Sequence, residues 1–245
     1  MKIFDAHAHL GVDVVFEIET YENDLIEIYG KHGISGALVQ PNIPRCYIEE
    51  TRLIHDRIHK FITANPTYYG MISINPHFNY DEIEKEVGRC VELGFNSLKI
   101  HTLGYACRPN SADGWHMFEV AAHHNLPVMI HTGGSKFSYP MLLKEPIIKY
   151  NTTKIIIAHA GGADGLDDSI DLAVKYDNVY LEPSWIDVPG IKKILASAGA
   201  DKCMFSSDVT HNIEPSLKIF REACGDNNSV LEKVFYLTAK EVFAL

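Results

Sequence analysis

The sequence predicts an α/β fold, a single (β/α)8 TIM barrel with an extra C-terminal helix. Eight short runs rich in apolar and β-branched residues recur along the chain, and longer segments with helical periodicity lie between them. The runs recur at intervals of about 30 residues, the length of one strand–helix unit in such a barrel. This alternation indicates parallel strands with right-handed crossovers. An open doubly wound sheet also alternates, but neither its G-x-G-x-x-G signature nor a P-loop sequence occurs.

The predicted elements fill the chain in order. Strands are expected at residues 2–7, 36–40, 70–74, 97–101, 127–131, 154–159, 179–182 and 203–208. Helical periodicity is clear at residues 47–64, 80–93, 115–125, 165–176 and 213–223, and the last helix is expected at 230–245. The helix predicted at 80–93 has clear start and stop signals. Acidic residues that suit a helix N-terminus begin it, and Gly94 follows its last residue.

The composition is that of a folded globular protein, with 46% hydrophobic and 22% charged residues. No linker rich in Pro, Gly or Ser divides the 245 residues, so we expect one domain over residues 1–245. The net charge of −10 disfavours nucleic acid as a partner, because an acidic surface repels phosphates. Five scattered cysteines, with no secretory leader and no apolar run long enough to span a bilayer, predict a cytoplasmic protein without a membrane partner.

Polar residues that bind metals or move protons end most of the predicted strands. They are His7 and His9, Gln40, Lys99 and His101, His131, His159, Glu182 and Asp208. The carboxyl ends of all barrel strands meet at one face, so we expect these side chains to converge there. His7 and His9 are two residues apart, which places both on one side of an extended strand, with Asp5 one step deeper on that side.

Several imidazoles with one carboxylate are a donor set that suits Zn²⁺ or a similar divalent transition metal. Such a site leaves a position for water, whose pKa can fall toward about 7, and a further histidine can take up the proton. A lone H-x-H pattern is weak, but its combination with His131, His159 and Asp208 at other strand ends is much stronger. The strand ends therefore predict metal-assisted hydrolysis, or another reaction at a carbonyl-like carbon.

Four motifs resemble those of a known family. The run Asp5-Ala6-His7-Ala8-His9-Leu10 resembles the first-strand signature of the amidohydrolase superfamily. The runs at residues 128–133, 157–162 and 205–208 are similar to its amidohydrolase-related branch, which includes aminocarboxymuconate-semialdehyde decarboxylase and metal-dependent hydrolases. The third of these runs ends in Ser206-Ser207-Asp208 where the branch usually has Gly-Ser-Asp.

The resemblance implies that His7, His9, His131 and Asp208 bind one divalent metal, Zn²⁺ first and Mn²⁺ or Fe²⁺ as alternatives. It implies that His159 either activates the metal-bound water or binds a second metal. Lys99 matches a lysine that is carbamylated and bridges two metals in other amidohydrolases. Because His101 lies nearer the rim than Lys99, one metal and an unmodified lysine are favoured.

The remaining site residues are expected to contact the substrate. Lys99, His101, Glu182, Trp185 and Arg45 are the candidates, with Asp208 and His159 as the catalytic pair. Glu182 could instead hold a ligand histidine or pair with Lys99, and His101 could satisfy the backbone of its own loop.

Arg108 and His211 also lie on loops of the active-site face. His55 and His59 are spaced four apart on a predicted helix, but the context is not H-E-x-x-H, so we expect a solvated helix face.

The function predicted is a metal-dependent hydrolase acting on a small anionic organic compound, such as an amide, a lactone or a related carbonyl compound. The alternative is a metal-dependent non-oxidative decarboxylase, a lyase, of an aromatic or unsaturated acid. The short stretch between His9 and the second strand predicts a small or loosely enclosed pocket. The complete ligand set disfavours a catalytically silent scaffold barrel. The acidic charge disfavours a TatD-like deoxyribonuclease, which usually carries a glutamate on its fourth strand where Lys99 and His101 stand here. Barrels of this kind are often homodimers.

Overall fold

The computed structural model describes residues 1–13, 17–42 and 47–245. Its strands are β1 Phe4–Asp13, β2 Ile18–Thr20, β3 Gly36–Pro41, β4 Tyr68–Ser73, β5 Ser97–Ile100, β6 Val128–His131, β7 Ile155–Ala158 and β8 Val179–Glu182. Strands β1 and β3 to β8 pair in chain order, and every pair among them is parallel.

The segment 203–208 closes the barrel between β8 and β1. The Met204 amide donates to the Leu181 carbonyl (3.1 Å), and the Ala6 amide donates to the Phe205 carbonyl (3.0 Å). This segment therefore takes the place of the eighth predicted strand, and the structure confirms the predicted α/β barrel.

A hairpin that the sequence analysis did not predict extends the first strand. β1 continues past His7 to Asp13 and pairs with the antiparallel β2, with Gly11 opposite Thr20. Asp13 of β1 and Ile18 of β2 line the cavity at the mouth of the barrel, so these two strands add one wall to it.

The helices are α1 Glu22–His32, α2 Ile48–Ala64, α3 Tyr80–Glu92, α4 Thr102–Tyr105, α5 Ala112–His123, α6 Lys144–Lys149, α7 Gly162–Lys175, α8 Val188–Ser197, α9 Ile213–Cys224, α10 Asn228–Glu232 and α11 Thr238–Phe243. The expected C-terminal helix is present as α10 and α11, with a π turn at Lys233–Leu237 between them. The turn contains Val234, whose carbonyl accepts a hydrogen bond from the Phe205 amide (2.8 Å). None of the described helices is long and apolar enough to cross a membrane.

Two apolar clusters hold the barrel together. The larger one lies between the strands and the surrounding helices and includes Ile72, Leu98 and Ile157. The second includes Met129 and Tyr180, with Phe243 from α11. These two strand residues precede His131 and Glu182 by two positions, so the cluster fills the barrel interior beneath the polar strand ends.

The expectation that His55 belongs to a solvated helix face is wrong. His55 on α2 is completely buried against α3, where its Nδ1 contacts Glu86 Oε1 (2.7 Å) and its Nε2 contacts the Ser73 carbonyl (3.1 Å). His59 is partly buried and contacts the Leu93 carbonyl (2.9 Å). Sequence spacing places both histidines on one helix face, but only the packing of α3 decides that this face is covered.

Candidate metal centre

Three side chains form a compact group at the mouth of the barrel. The ligand atoms of His7, His159 and Asp208 all lie within 4.8 Å of one another. His9 joins them, because its Nε2 lies 3.2 Å from both His7 Nε2 and Asp208 Oδ1. Gln40 Nε2 lies 3.2 Å from the same His9 nitrogen. Residues from the first strand, the β7 end and the closing segment thus converge, as the strand-end pattern predicted.

His131 lies beside this group rather than within it. Its ring centroid is 4.8 Å from that of His159, and its ring stacks on His101 with the centroids 4.2 Å apart. Burial holds the pKa of both His131 and His101 well below the usual value, with the neighbouring histidines and Lys99 adding to the effect. These imidazoles are therefore neutral, the form that coordinates metals.

Two imidazole nitrogens of this site are left without a hydrogen-bond partner. Among the described residues, Nδ1 of His9 and Nδ1 of His131 are buried and make no hydrogen bond. A buried polar atom without a partner is costly, and neutral imidazoles with one carboxylate are the donors that divalent transition metals prefer. The residues present therefore fit a divalent metal.

Glu182 lies behind the group and holds His7. Its Oε2 accepts from His7 Nδ1 (2.9 Å), and its carboxylate also accepts from the amides of His159 (3.2 Å) and Ser184 (3.0 Å) and from the Ser206 hydroxyl. Burial raises the pKa of Glu182, but His7 and these hydrogen bonds outweigh it and bring the pKa to about 2. Glu182 is fully buried, so its position is against His7 rather than against a substrate.

Lys99 is the buried cation of the site. Its Nζ lies 3.0 Å from His7 Nε2, and burial lowers the pKa of Lys99 to about 8. Burial and this nearby ammonium together bring the pKa of His7 to about 4. His101, two residues further on, accepts a hydrogen bond from the Gly104 amide (2.9 Å) and so also satisfies the backbone of its own loop.

Asp208 and His159 each have a partner on the loop after β8. The Trp185 indole Nε1 donates to Asp208 Oδ2 (2.8 Å), and His159 Nδ1 contacts the Ser184 hydroxyl (2.8 Å). Burial raises the pKa of Asp208, but His7, His9 and His159 outweigh it and hold the pKa well below its usual value. Burial lowers the pKa of His159.

The backbone of the site is strained at three residues. His159, Trp185 and Asp208 have φ values of 60°, 70° and 69°, in the left-handed region that non-glycine residues rarely adopt. The hydrogen bond from the Asp208 amide to the His7 carbonyl (2.8 Å) fixes one of them. Strain of this kind is characteristic of functional sites, where surrounding contacts hold it in place.

Asp5 does not lie on the side of His7 and His9 as the strict alternation predicted. The pairing of β1 with β3 shifts register between Asp5 and Ala8, so the alternation breaks there. Asp5 accepts hydrogen bonds from the hydroxyl of Tyr29 on α1 (2.8 Å) and from the amide of Ser207 (3.0 Å). Burial raises the pKa of Asp5 to about 6 although these hydrogen bonds oppose it. Asp5 thus ties β1 to the closing segment.

A cavity of about 400 Å³ opens above the group. It is lined by His7, His9, Asp13, Ile18, Asn42, Lys99, His101, Leu103, His131, His159, Trp185, Asp208, Val209 and His211. Of the expected substrate contacts, Lys99, His101 and Trp185 line it, and so does His211. Arg108 is exposed and is not among the lining residues, and Arg45 lies outside the described residues.

Sequence reasoning missed Asp13, Asn42 and Ser184. Asp13 and Asn42 line the cavity, and Ser184 contacts His159. Asp13 ends β1, and Asn42 and Ser184 closely follow the ends of β3 and β8, so position at a strand end is a usable signal. For Asp13 it was hidden because the first strand was expected to end at His7.

The fold and this donor set are typical of metal-dependent barrel enzymes. The chain belongs to the amidohydrolase family, whose model matches residues 40–245. The match confirms the resemblance drawn from the motifs, although His7 and His9 precede the matched residues. No curated protein matches the sequence.

Solved structures share the fold over the whole chain. A dihydroxybenzoic acid decarboxylase from Polaromonas sp. JS666, with manganese and 2-nitroresorcinol, is 16% identical with a TM-score of 0.80, covering 100% of this chain and 97% of that one. The 5-carboxyvanillate decarboxylase from Sphingomonas paucimobilis is 13% identical with a TM-score of 0.79, covering 100% and 99%. A protein from Acinetobacter baumannii assigned as a 2-pyrone-4,6-dicarboxylic acid hydrolase is 15% identical with a TM-score of 0.72, covering 100% of both chains. Both hydrolases and decarboxylases thus share this fold.

Proposed function

We propose that this protein is a metal-dependent hydrolase acting on a small anionic carbonyl compound such as an amide or a lactone. The observation that carries the proposal is the convergence of His7, His159 and Asp208, with His9 alongside, at the floor of an open cavity. The ligands of a metal ion must converge on one point, whereas histidines on an ordinary surface have no reason to converge with a carboxylate.

The metal would be held by His7, His9, His131 and Asp208. The unpartnered Nδ1 of His131 and the contacts of His9 Nε2 with Asp208 support this set. When bound, a divalent ion such as Zn²⁺ supplies a Lewis acid that acidifies water and polarises a carbonyl. The proposal takes one metal and an unmodified Lys99, whose Nζ lies 3.0 Å from His7 Nε2.

Two side chains are proposed to act on the water. His159 uses Nδ1 for its contact with Ser184, so its other nitrogen is the one that can take a proton from water and return it to the leaving group. The low pKa of Asp208 keeps its carboxylate ionised and able to orient the same water. The buried Lys99 ammonium at the cavity floor favours a substrate with a negative charge.

Non-oxidative decarboxylation is the second candidate. The parallel stack of His101 on His131, with an angle of 16° between the rings, borders the cavity together with the Trp185 indole, and flat surfaces suit a planar aromatic acid. The decarboxylases of similar fold act on substrates of that shape by name, dihydroxybenzoic acid and 5-carboxyvanillate.

The first experiment measures metal content in the wild type and in a His7→Ala/His9→Ala double variant. We expect about one equivalent in the wild type and a nearly complete loss in the variant, because both removed imidazoles are proposed ligands. The matched control is His123→Ala/His124→Ala, which removes two histidines that contact Glu84 at the surface. Metal that survives in the first variant and disappears in the control would place the ion at the surface and contradict the proposal.

The second experiment decides between the two reactions. The metal-loaded protein is incubated with panels of lactones, amides and hydroxylated aromatic acids, and both ring-opened or cleaved products and CO₂ are measured. Hydrolysis products without CO₂ support the hydrolase. Release of CO₂ with a neutral arene as the co-product supports the decarboxylase.

A further inference from the structure

One short segment contacts three members of the candidate centre. Glu182 accepts from His7, Ser184 contacts His159, and Trp185 donates to Asp208. The three partners come from the first strand, the β7 end and the closing segment. Residues 182–185 are therefore the common support of side chains that the rest of the fold brings from separate places.

Trp185 orients the Asp208 carboxylate. Its indole N–H occupies Oδ2 (2.8 Å), while Oδ1 faces His7 Nε2 (3.3 Å) and His9 Nε2 (3.2 Å). A carboxylate with both oxygens free could rotate and bind a metal through either one or through both. The indole removes that freedom, so that only Oδ1 is presented to the histidines.

Trp185 contacts Asp208 from an unfavourable backbone conformation. Trp185 has a φ of 70°, which is rare for a bulky residue, and hydrogen bonds hold the chain on both sides of it. The Ser184 amide donates to Glu182 Oε1 (3.0 Å), and the Asp187 side chain caps α8 at Gly190 (2.9 Å). The strain is not repaid by burial of the ring, because 54% of Trp185 is exposed.

We propose that Trp185 is a positioning residue for the metal ligand Asp208, acting through its indole N–H and not by packing. The proposal rests on the proposed function, because it requires that Asp208 bind a metal. It assigns to Trp185 a role beyond the substrate contact expected from its place on the cavity wall. Removal of the N–H releases Oδ2 and weakens metal binding, even where the ring itself is retained in shape.

The test compares Trp185→Phe with Trp185→Gln, titrated with Zn²⁺ in competition with a chromophoric chelator. Phenylalanine keeps an aromatic ring but has no donor, and glutamine keeps an N–H donor without the ring. We expect affinity to fall about 10- to 100-fold in the phenylalanine variant, as for other partners of metal ligands, and to recover most of the loss in the glutamine variant. Equal affinity of wild type and Trp185→Phe, or equal loss in both variants, would overturn the proposal.

Fluorescence supplies a readout that does not depend on activity. The chain has two tryptophans, so Trp115→Phe leaves Trp185 as the sole indole. We expect its emission to change on addition of Zn²⁺ and to saturate at the measured metal stoichiometry. In the metal-free protein we also expect Asp208→Ala to alter the emission, with Asp164→Ala as the unaffected control. Emission that is unchanged both by Zn²⁺ and by Asp208→Ala would contradict the contact between Trp185 and Asp208.

The two proposals fail differently. If the wild type binds metal through His7 and His9 but Trp185→Phe binds it equally well, only the role of Trp185 is overturned. If the wild type binds no Zn²⁺, the proposed function falls, and the role in metal binding falls with it.

Discussion

Glu182 and His7 are joined by a 2.9 Å hydrogen bond that water does not reach, between the end of β8 and the first strand. Since Glu182 Oε2 accepts the hydrogen bond of Nδ1–H, the opposite nitrogen of His7 faces Asp208 and Lys99. One buried carboxylate thus fixes the ring orientation of the histidine at the centre of the site.

Replacing Glu182 with Gln should weaken metal binding about 10- to 100-fold, because the amide cannot accept from His7 and from the neighbouring amides as the carboxylate does. Metal titration against a chelator measures the change. The matched control is Glu214→Gln, an exposed carboxylate on α9 that pairs with Lys218. An affinity unchanged in Glu182→Gln would show that His7 needs no partner.

Replacing Lys99 with Met should leave metal content at about one equivalent and raise KM for an anionic substrate at least about tenfold. Methionine is similar in length to lysine, so the main change is the loss of the positive charge at the cavity floor, next to His7 Nε2. That charge is expected to attract an anionic substrate. Metal analysis and steady-state kinetics provide the two readouts. A wild type with two equivalents that falls to one in the variant would instead identify Lys99 as a bridge between two metals.

Replacing Glu86 with Gln should lower the free energy of unfolding by roughly 3 kcal/mol at neutral pH, because it breaks a buried ion-pair network with His55 and Arg89. Burial raises the pKa of Glu86, but these partners outweigh it and bring the pKa to about 2, from 4.5. A lowered pKa stabilises the folded state above the unfolded value and loses that contribution as the pH falls toward 2.

The difference between wild type and Glu86→Gln should therefore be largest above pH 4.5 and shrink between pH 4.5 and 2. Urea unfolding across this range measures it. A difference that stays constant with pH would mean that the carboxylate charge is not what stabilises the α2–α3 interface.

Replacing Tyr29 with Phe should cost about 1 kcal/mol of stability, the usual value of one hydrogen bond, and leave metal affinity within about twofold. The hydroxyl donates to Asp5, which keeps its hydrogen bonds from the His7 and Ser207 amides. Thermal unfolding and metal titration are compared in the same preparation. A large loss of metal affinity would show that α1 controls the position of the metal ligands.

The site was predictable where it depends on the period of a strand. His131, His159 and Asp208 lie at or directly after the ends of β6, β7 and the closing segment, and parallel topology brings such ends together whatever the details of packing. The partners of these side chains were not predictable to the same degree. Sequence reasoning left Glu182 open between the substrate, a ligand histidine and Lys99, because only the register of β8 against its neighbours decides which one it reaches.

Three local features of the fold were not predicted, because their sequence patterns are short or because packing against another element decides them. The three-residue strand β2 gives no period to detect, and the bulge after Asp5 breaks the alternation that the H-x-H motif suggests. His55 has the spacing of a surface helix residue, yet burial against α3 makes it part of an ion-pair network. Its partner Glu86 belongs to the next helix, so one helix alone could not have shown it.

The closing segment makes the centre a late product of folding. The Ser207 amide donates to Asp5 across 202 residues of sequence, close to His7 and Asp208. Contacts of such long range form only after most of the loop entropy has been lost. A chain still emerging from the ribosome would hold its histidines without the carboxylate until the last quarter is synthesised. If a divalent ion binds as proposed, its binding would report closure of the barrel, and the ion would bind to the finished barrel in preference to its open precursors.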